Sequence, residues 1–152
     1  MAQLIPGYKI RAGSSLDRAM LVKFMQKTYR ELSQEQDFSH LARTVEQYLS
    51  KETPLWWVLD EDSAPVACIW AGSAIDQITG DHIPHIFLLY VVPEHRRRGI
   101  ATALMSHVEA WAKARGDRAI GLQVFQANAI ALNLYNQLGY QTQSLSMVKP
   151  LK

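Results

Sequence analysis

The chain has 152 residues, of which 48% are hydrophobic and 20% are charged, and its formal net charge at pH 7 is +2. This length and balance fit a single globular domain over residues 1–152, large enough to bury a core without disulfides or metals. The small net charge, with basic residues mostly interleaved with acidic ones, argues against a nucleic-acid-binding protein.

Several features bear on the cellular compartment. The amino-terminal segment lacks the long apolar core of a signal peptide, and no uncharged apolar run is long enough to cross a bilayer. The single cysteine, Cys68, cannot form an internal disulfide and suits a reducing compartment. We therefore expect a cytoplasmic protein without membrane contact. The histidines show no metal-ligand spacing, so no metal site is predicted.

The first third of the chain is predicted to contain one short strand and two helices. Ser14 or Ser15, followed by Asp17, is typical of a helix start. Apolar residues at helical spacing predict the helices, and the polar stretch 33–37 separates them. The predicted elements are a strand at 8–11 and helices at 16–32 and 39–50.

From residue 55 onwards the periodicity becomes that of strands, with turn residues at 60–65 and 79–81. The continuously apolar run at 85–92 indicates a strand buried on both faces, at the centre of a sheet. Asn128 can cap the last helix and Gly139 can end it. The predicted elements are strands at 55–59, 66–71, 85–92, 119–125 and 141–151, and helices at 100–114 and 129–138. This order favours a mixed α/β sheet with helices on its faces.

A short basic loop joins the strand at 85–92 to the next helix. From Val91 to Thr102 the sequence is Val-Val-Pro-Glu-His-Arg-Arg-Arg-Gly-Ile-Ala-Thr. The first turn of a helix offers unpaired backbone N–H groups and the positive end of the helix dipole. Gly99 and Ala101 leave that backbone open to close approach, and the Lys-Ser/Thr pair of a triphosphate loop is missing. The pattern therefore predicts a cradle for a diphosphate.

Two segments of the chain resemble the GNAT superfamily of acetyl-CoA-dependent N-acetyltransferases. The sequence R-x-x-G-x-A from Arg96 to Ala101 is similar to the family's Q/R-x-x-G-x-G/A signature and stands, as expected, between a strand and a helix. The sequence N-x-x-A-x-x-L-Y-x-x-x-G-Y from Asn128 to Tyr140 resembles the family's second characteristic segment. The order of elements around both segments also fits, so the resemblance covers essentially the whole chain.

The resemblance implies a fold, a co-substrate and a reaction. The expected fold is α/β, with a mixed, largely antiparallel, splayed sheet of six to seven strands flanked by about four helices. The expected enzyme is an acyltransferase in which a primary amine directly attacks the thioester of acetyl-CoA in a ternary complex. A different acyl group and a non-catalytic acyl-CoA-binding sensor are alternatives. The acceptor amine is not specified, and a homodimer is left open.

The resemblance also implies roles for individual residues. The strand backbone at Tyr90, Val91 and Val92 would pair with the pantetheine arm, and one N–H would polarise the thioester carbonyl. Asn128 would hydrogen-bond the same arm, and Tyr135 would donate a proton to the departing thiolate. The residues expected to bind the cofactor at the pyrophosphate are Arg96, Arg97, Arg98, Gly99, Ile100, Ala101, Thr102 and Ala103.

A candidate base follows from a similar comparison. The histone acetyltransferase branch has a glutamate eleven positions before the signature, and the same count back from Arg96 reaches His85, whose imidazole could accept a proton directly or through water. Ordered water alone is the alternative. The ribosomal-protein branch has a glutamate where this chain has Gln123, which cannot act as a base at neutral pH. Acceptor choice is expected to depend on residues 30–38 and 73–84.

Overall fold

The computed structural model describes residues 5–33 and 37–152, and within them the chain forms one five-stranded sheet with four α-helices. No helix in these two ranges is long and apolar enough to span a membrane. The elements are β1 Lys9–Ala12, α1 Arg18–Leu32, α2 His40–Tyr48, β2 Leu55–Leu59, β3 Pro65–Ile75, β4 His82–Val91, α3 Ile100–Arg115, β5 Gly121–Leu122 and α4 Ala129–Gln137.

The strands lie in the order β1-β2-β3-β4-β5, and all neighbours are antiparallel except β4 and β5, which are parallel. β3 is the central strand and is buried without interruption from Val66 to Gly72, whereas buried and half-buried residues largely alternate along β4. The prediction that residues 85–92 form the central strand was therefore wrong. β3 has long partners on both sides, but β4 has only two paired residues of β5 on its outer side.

Two apolar cores lie on opposite faces of the sheet, which fits the layered architecture predicted. Successive side chains of a strand point to opposite faces. Cys68 and Trp70 of β3 accordingly belong to the core under α1 and α2, and Ile69 belongs to the core under α3. The adjacent residues Trp57 and Trp56 are divided in the same way, and Trp56 packs on the α3 side.

The helix starts agree well with local sequence signals. The Ser14 hydroxyl accepts a hydrogen bond from the Leu16 N–H (3.2 Å), and the Asp17 carboxylate accepts one from the Ser14 N–H (2.9 Å). This reciprocal pair is a capping box, so Ser14 rather than Ser15 is the cap. Leu16 is 93% exposed and lies in a 3-10 turn, and α1 begins at Arg18 rather than at the predicted residue 16. The predicted polar break at 33–37 includes residues 34–36, which lie outside the described residues.

The strand count differs from the prediction of six to seven. The predicted strand at 119–125 is reduced to Gly121–Leu122, and the predicted closing strand at 141–151 has no secondary structure and is exposed throughout. A strand needs a hydrogen-bonded neighbour, and β5 is the last strand of the sheet, with its outer edge unpaired among the described residues. The alternating pattern of residues 141–151 indicates a strand, but a sequence pattern does not show whether a neighbouring strand is available for pairing.

A β-bulge interrupts β4 at Phe87. Trp70 of β3 pairs with Leu88, but the next residue, Ala71, pairs with Ile86, so Phe87 is an extra residue on its strand. As a result, Ile86 packs in the core under α3 while Leu88 packs in the core under α1 and α2. Bulges bend a strand and redirect its side chains, and they are frequent beside functional sites.

The ring of Phe87, the bulged residue, occupies the space beside Gly72 of β3, which pairs with His85. A Cβ built on Gly72 would lie 2.3 Å from Cε2 and 2.4 Å from Cζ of Phe87. We expect Gly72→Ala to destabilise the protein by about 1–3 kcal/mol through overpacking, as measured by urea unfolding. Ser73→Ala, on the exposed neighbour, should have little effect. The cost of Gly72→Ala should fall in a Phe87→Leu background, and an equal cost in both backgrounds would rule out the ring contact as its cause.

Candidate active site

The basic loop between β4 and α3 contains two residues with left-handed backbone conformations. After Val91, a 3-10 turn over Pro93–His95 leads through residues 96–99 into Ile100, the first residue of α3. Arg97 and Gly99 have φ angles of +65° and +83°. Such left-handed residues can turn successive N–H groups towards one point, the arrangement that binds anions at helix starts. A Cβ on Gly99 would come no closer than 3.8 Å to Ile5, so the space beside it is open.

Arg96, the first residue of the signature, is tied to two other elements. Its Nε donates to the Val91 carbonyl (2.7 Å), and its Nη2 donates to both carboxylate oxygens of Glu31 at the end of α1 (2.9 Å each). The Tyr90 hydroxyl also donates to Glu31 (2.9 Å), and the guanidinium lies 5.4 Å from the centre of the Tyr90 ring. Arg96 therefore fixes the loop to α1 and β4, and its charge is already paired.

Arg98 is held in a similar way, but Arg97 is not. The Arg98 Nη1 donates to the Tyr8 hydroxyl (2.9 Å), which also bonds to His95 Nδ1 (2.7 Å). Arg97 is exposed and makes no hydrogen bond or ion pair with any described residue. Of the three arginines, Arg97 is thus the cation available to an anionic ligand at this loop.

The edge of β4 beyond its bulge is open. β4 pairs with β5 only at His85↔Gly121 and Ile86↔Leu122, and the two chain segments then separate without further pairing. The Val92 N–H donates to Val66 of β3 (2.9 Å), so it is not available to a ligand.

Hydrogen bonding alternates along an antiparallel ladder, so the backbone groups of Leu89 and Val91 face the open edge. Of the strand residues predicted to contact a cofactor, Val91 retains a backbone N–H on this side and Val92 does not. Leu89 was not predicted, because only the register of β3 and β4 reveals which N–H groups are free.

Asn128 acts as the predicted cap of α4. Its Oδ1 accepts from the Ala131 N–H (3.2 Å), and its own N–H donates to the Phe125 carbonyl (2.9 Å). The side-chain NH2 group has no hydrogen-bond partner among the described residues. Asn128 can therefore cap the helix and donate to a ligand at the same time.

Tyr135 is largely shielded from solvent, and its hydroxyl has no hydrogen-bond partner within residues 5–33 and 37–152. It packs against the core under α3, as does Ala101 in the first turn of that helix. Its ring lies 5.9 Å from that of Tyr140, whose hydroxyl donates to Glu109 of α3 (2.7 Å). α4 is thus attached to α3, and Tyr135 shares a core with the start of α3.

Burial shifts the pKa values of three candidate groups towards their neutral forms. It raises the pKa of Tyr135 to about 12 and raises the pKa of the fully buried Cys68 thiol. It lowers the pKa of His85 below its ordinary value of about 6.5. At neutral pH, the Tyr135 hydroxyl is therefore protonated, and the His85 imidazole and the Cys68 thiol are in their neutral forms.

The predicted residues are distributed along the length of β4. Val91 and the basic loop lie at its carboxyl end, whereas His85 lies six residues earlier, roughly 20 Å away at about 3.3 Å per residue. His85 is half-buried and its ring is 5.9 Å from that of Phe87. His85 pairs with Gly121 of β5, so it lies before the point at which the edge of β4 becomes open.

A separate cavity of about 760 Å³ lies at the opposite end of β4 and α3 from the basic loop. Its described lining residues include Asp81, Ile83 and Arg118. Asp81 and Ile83 lie in the segment 73–84 that is expected to affect acceptor choice, but no lining residue is a predicted catalytic or cofactor-binding residue. Asp81 and Arg118 form an ion pair across it. In the part of the chain that the structure describes, no three His, Cys, Asp or Glu side chains are grouped so that they could hold a metal ion.

Comparison with known proteins decides the family. Residues 19–140 match the acetyltransferase (GNAT) family. The chain belongs to the GNAT acetyltransferase family. This confirms the resemblance inferred from the two sequence segments, and the basic loop and Asn128–Tyr140 both lie within the matched range.

The individual relatives named here have low sequence identity to this chain. Similar sequences include aminoglycoside N(6')-acetyltransferase type 1 of Acinetobacter haemolyticus, 27% identical over 73% of this chain and 78% of that protein. N-acetyltransferase 8 of Homo sapiens is 30% identical over 62% of this chain, a match that spans only 41% of the human protein. Among solved structures, a GCN5-related N-acetyltransferase from Ralstonia eutropha has a TM-score of 0.77 and 25% identity, with 95% of this chain and 99% of that one covered.

Proposed function

We propose that this chain transfers the acetyl group of acetyl-CoA to a primary amine. The observation that carries the proposal is the basic loop, where two arginines are fixed by the protein and Arg97 stays free beside the start of α3. A diphosphate fits that surface, because it needs backbone N–H donors and positive charge. The GNAT family uses acetyl-CoA, whose diphosphate and extended arm suit the loop and the open edge of β4.

The arm of the cofactor would follow the free edge of β4. The Leu89 backbone groups and the Val91 N–H would pair with its amides, and the side-chain NH2 of Asn128 would donate to it from α4. A backbone N–H of the strand would polarise the thioester carbonyl, which stabilises the oxyanion that forms during attack. We assign Val91 and Leu89 to this strand contact, whereas the backbone groups of Tyr90 face β3, where Tyr90 pairs with Cys68.

The proposed reaction is direct. The amine nitrogen forms a bond to the acetyl carbon, the carbon–sulfur bond breaks, and the sulfur leaves with the bonding electrons. Tyr135 donates its proton to that sulfur, and the proton lost by the attacking nitrogen passes to His85, directly or through water. The products are an acetamide and free CoA, and transfer of the His85 proton through solvent back to Tyr135 restores the enzyme. Cys68 takes no part, because its buried thiol is held in the neutral form.

Acidic side chains in the two segments expected to govern acceptor choice are mostly engaged within the protein. The contacts are Glu31 with Arg96, Asp37 with the Ser39 N–H, Asp76 with the Ile78 N–H, and Asp81 with Arg118. A cationic acceptor would have to compete with these bonds. We infer that shape and hydrogen bonding, rather than charge attraction alone, select the amine.

The cofactor site is tested by Gly99→Glu. A carboxylate at this position should abolish binding of acetyl-CoA, because it adds bulk and negative charge where the diphosphate would lie. Acetyl-CoA at 100 times its Kd should stabilise the unmodified protein by about 2.7 kcal/mol, measured as a rise in melting temperature. Gly80→Glu is a matched control, since Gly80 also has a positive φ (+78°) and open surroundings but lies in the β3–β4 turn. Equal stabilisation of both variants would refute the diphosphate assignment.

The proton donor is tested by Tyr135→Phe. Removal of the hydroxyl should lower kcat on the order of 100-fold and leave acetyl-CoA affinity nearly unchanged, because the group acts on the leaving sulfur. The assay is amine-dependent release of the CoA thiol. Tyr48→Phe, on a partly exposed α2 tyrosine, should retain full activity. If acetyl-CoA binds but no amine releases its thiol, the chain is a sensor and not an enzyme.

The proposed base predicts a specific pH dependence. His85→Gln should lower kcat/KM at pH 7–8, where the imidazole of His85 is neutral and accepts a proton. The ratio of unmodified to variant kcat/KM should fall towards one as the pH drops through the lowered pKa of His85, below about 6.5. Because the acceptor amine ionises in the same way in both assays, its ionisation does not affect this ratio. His82→Gln, at the exposed start of the same strand, is the control. A ratio that stays constant from pH 5 to pH 8 would assign proton removal to water.

A further inference from the structure

The turn that precedes β1 lies against the basic loop. The Tyr8 N–H donates to the Ile5 carbonyl (3.0 Å), which closes this turn. The Ile5 side chain provides the nearest atom to a Cβ built on Gly99 (3.8 Å), and the Tyr8 hydroxyl bonds to two residues of the loop region. Tyr8 lies before residues 19–140, which match the family, so the matched range assigns it no role.

The arginines of the loop differ in how their charge is balanced. Arg96 is paired with the carboxylate of Glu31, whereas Arg98 makes no ion pair with any described residue. The Arg98 guanidinium donates instead to an uncharged hydroxyl, that of Tyr8 (2.9 Å), and to the backbone carbonyl of Glu94 (3.4 Å). Arg98 is therefore held in place without being neutralised. A cation that is positioned in advance binds an anion more tightly, because less side-chain freedom is lost on binding.

The Tyr8 hydroxyl holds Arg98 through its oxygen. A guanidinium donates hydrogen bonds and accepts none, so the single proton of the hydroxyl must point elsewhere. The other group bonded to this hydroxyl among the described residues is His95 Nδ1 (2.7 Å), and the two rings meet edge to face with their centres 5.6 Å apart. Donation from Tyr8 to Nδ1 satisfies all three groups. It requires that the proton of the neutral His95 imidazole lies on Nε2.

Core packing fixes the position of this hydroxyl. The Tyr8 side chain is 6% exposed and belongs to the core under α3, whereas His95 is half-buried and Arg98 is exposed. A close-packed ring is held in one rotamer, so its hydroxyl has one position. An exposed arginine without such a partner would have many rotamers to lose when it binds an anion. Tyr8 thus connects the rigid core to a charged side chain at the surface.

We propose that Tyr8 and His95 are positioning residues of the cofactor site. His95 orients the Tyr8 hydroxyl, and the hydroxyl holds the charge of Arg98 beside the diphosphate. This inference rests on the proposed function, because the anion is taken to be the diphosphate of acetyl-CoA. Neither Tyr8 nor His95 needs to touch the cofactor in this role, and the unpaired Arg97 supplies a second positive charge.

The role of Tyr8 is tested by a double-mutant cycle. Isothermal titration calorimetry measures the Kd of acetyl-CoA for four full-length proteins: the unmodified chain, Tyr8→Phe, Arg98→Met and the double variant. Tyr8→Phe alone should raise the Kd about 10-fold, because it removes a hydrogen bond to a charged group. In the Arg98→Met background the same change should leave the Kd unaltered, because the side chain that Tyr8 holds is no longer a guanidinium.

The cycle separates this proposal from a general effect on the fold and from the proposed function. An equal rise of the Kd in both backgrounds would show that Tyr8 acts through the fold and not through Arg98. No rise in either background would also overturn the positioning role. An unmodified chain that does not bind acetyl-CoA would refute the proposed function itself, and the cofactor role of Arg98 with it.

The role of His95 is tested by a matched pair of substitutions and by NMR. His95→Leu removes the acceptor and should raise the Kd about 3-fold, whereas His95→Asn places an oxygen near the position of Nδ1 and should restore most of the lost affinity. Equal Kd values for the two variants would refute the role of His95. In the unmodified chain without ligand, nitrogen-15 NMR above neutral pH should find the His95 proton on Nε2. A proton on Nδ1 would overturn the proposed bond from Tyr8.

Discussion

The carboxylate of Glu31 is the contact on which the candidate site depends. It receives hydrogen bonds from Arg96 in the basic loop and from Tyr90 in β4, so one side chain of α1 is joined to two elements that lie 65 and 59 residues further along the chain. The groups are about 40% exposed, and an ion pair at such a site contributes at most about 1 kcal/mol to stability. Its main effect is geometric. A guanidinium held by two carboxylate oxygens and by the Val91 carbonyl has a fixed orientation, and the loop that follows it is fixed too.

Local sequence signals predicted the parts of the structure that depend on neighbouring residues. A helix cap at Ser14 or Ser15 and a cap of α4 at Asn128 were predicted from spacings of two to three residues, and the structure confirms Ser14 and Asn128 as caps. The start of α3 beside the loop was also confirmed. Such features form wherever the sequence permits them, because their partners are in the same turn or helix.

Features that depend on distant partners could not be predicted in this way. The identity of the central strand, the length of β5 and the bulge at Phe87 are set by pairing between strands. Three neighbouring arginines looked equivalent in sequence, yet Arg96 and Arg98 are held by Glu31 and Tyr8, more than 60 residues away, and only Arg97 is free. The functional roles of Tyr135, His85 and the loop residues are proposals that rest on this arrangement and on the family.

The bulge at Phe87 changes the face of the sheet to which the side chains in one part of β4 point. Without the extra residue, side chains two positions apart would share a face along the whole strand, and His85 would lie on the same side as Leu89, over α3. With the extra residue, the side chains before the bulge point to the opposite face. His85 therefore lies on the side of Leu88 and Tyr90, towards α1 and α2. One inserted residue therefore determines which layer of the molecule the His85 imidazole faces, without changing the face on which Leu88 and Tyr90 lie. The insertion at Phe87 thus sets the direction of the side chains before it relative to the side chains after it.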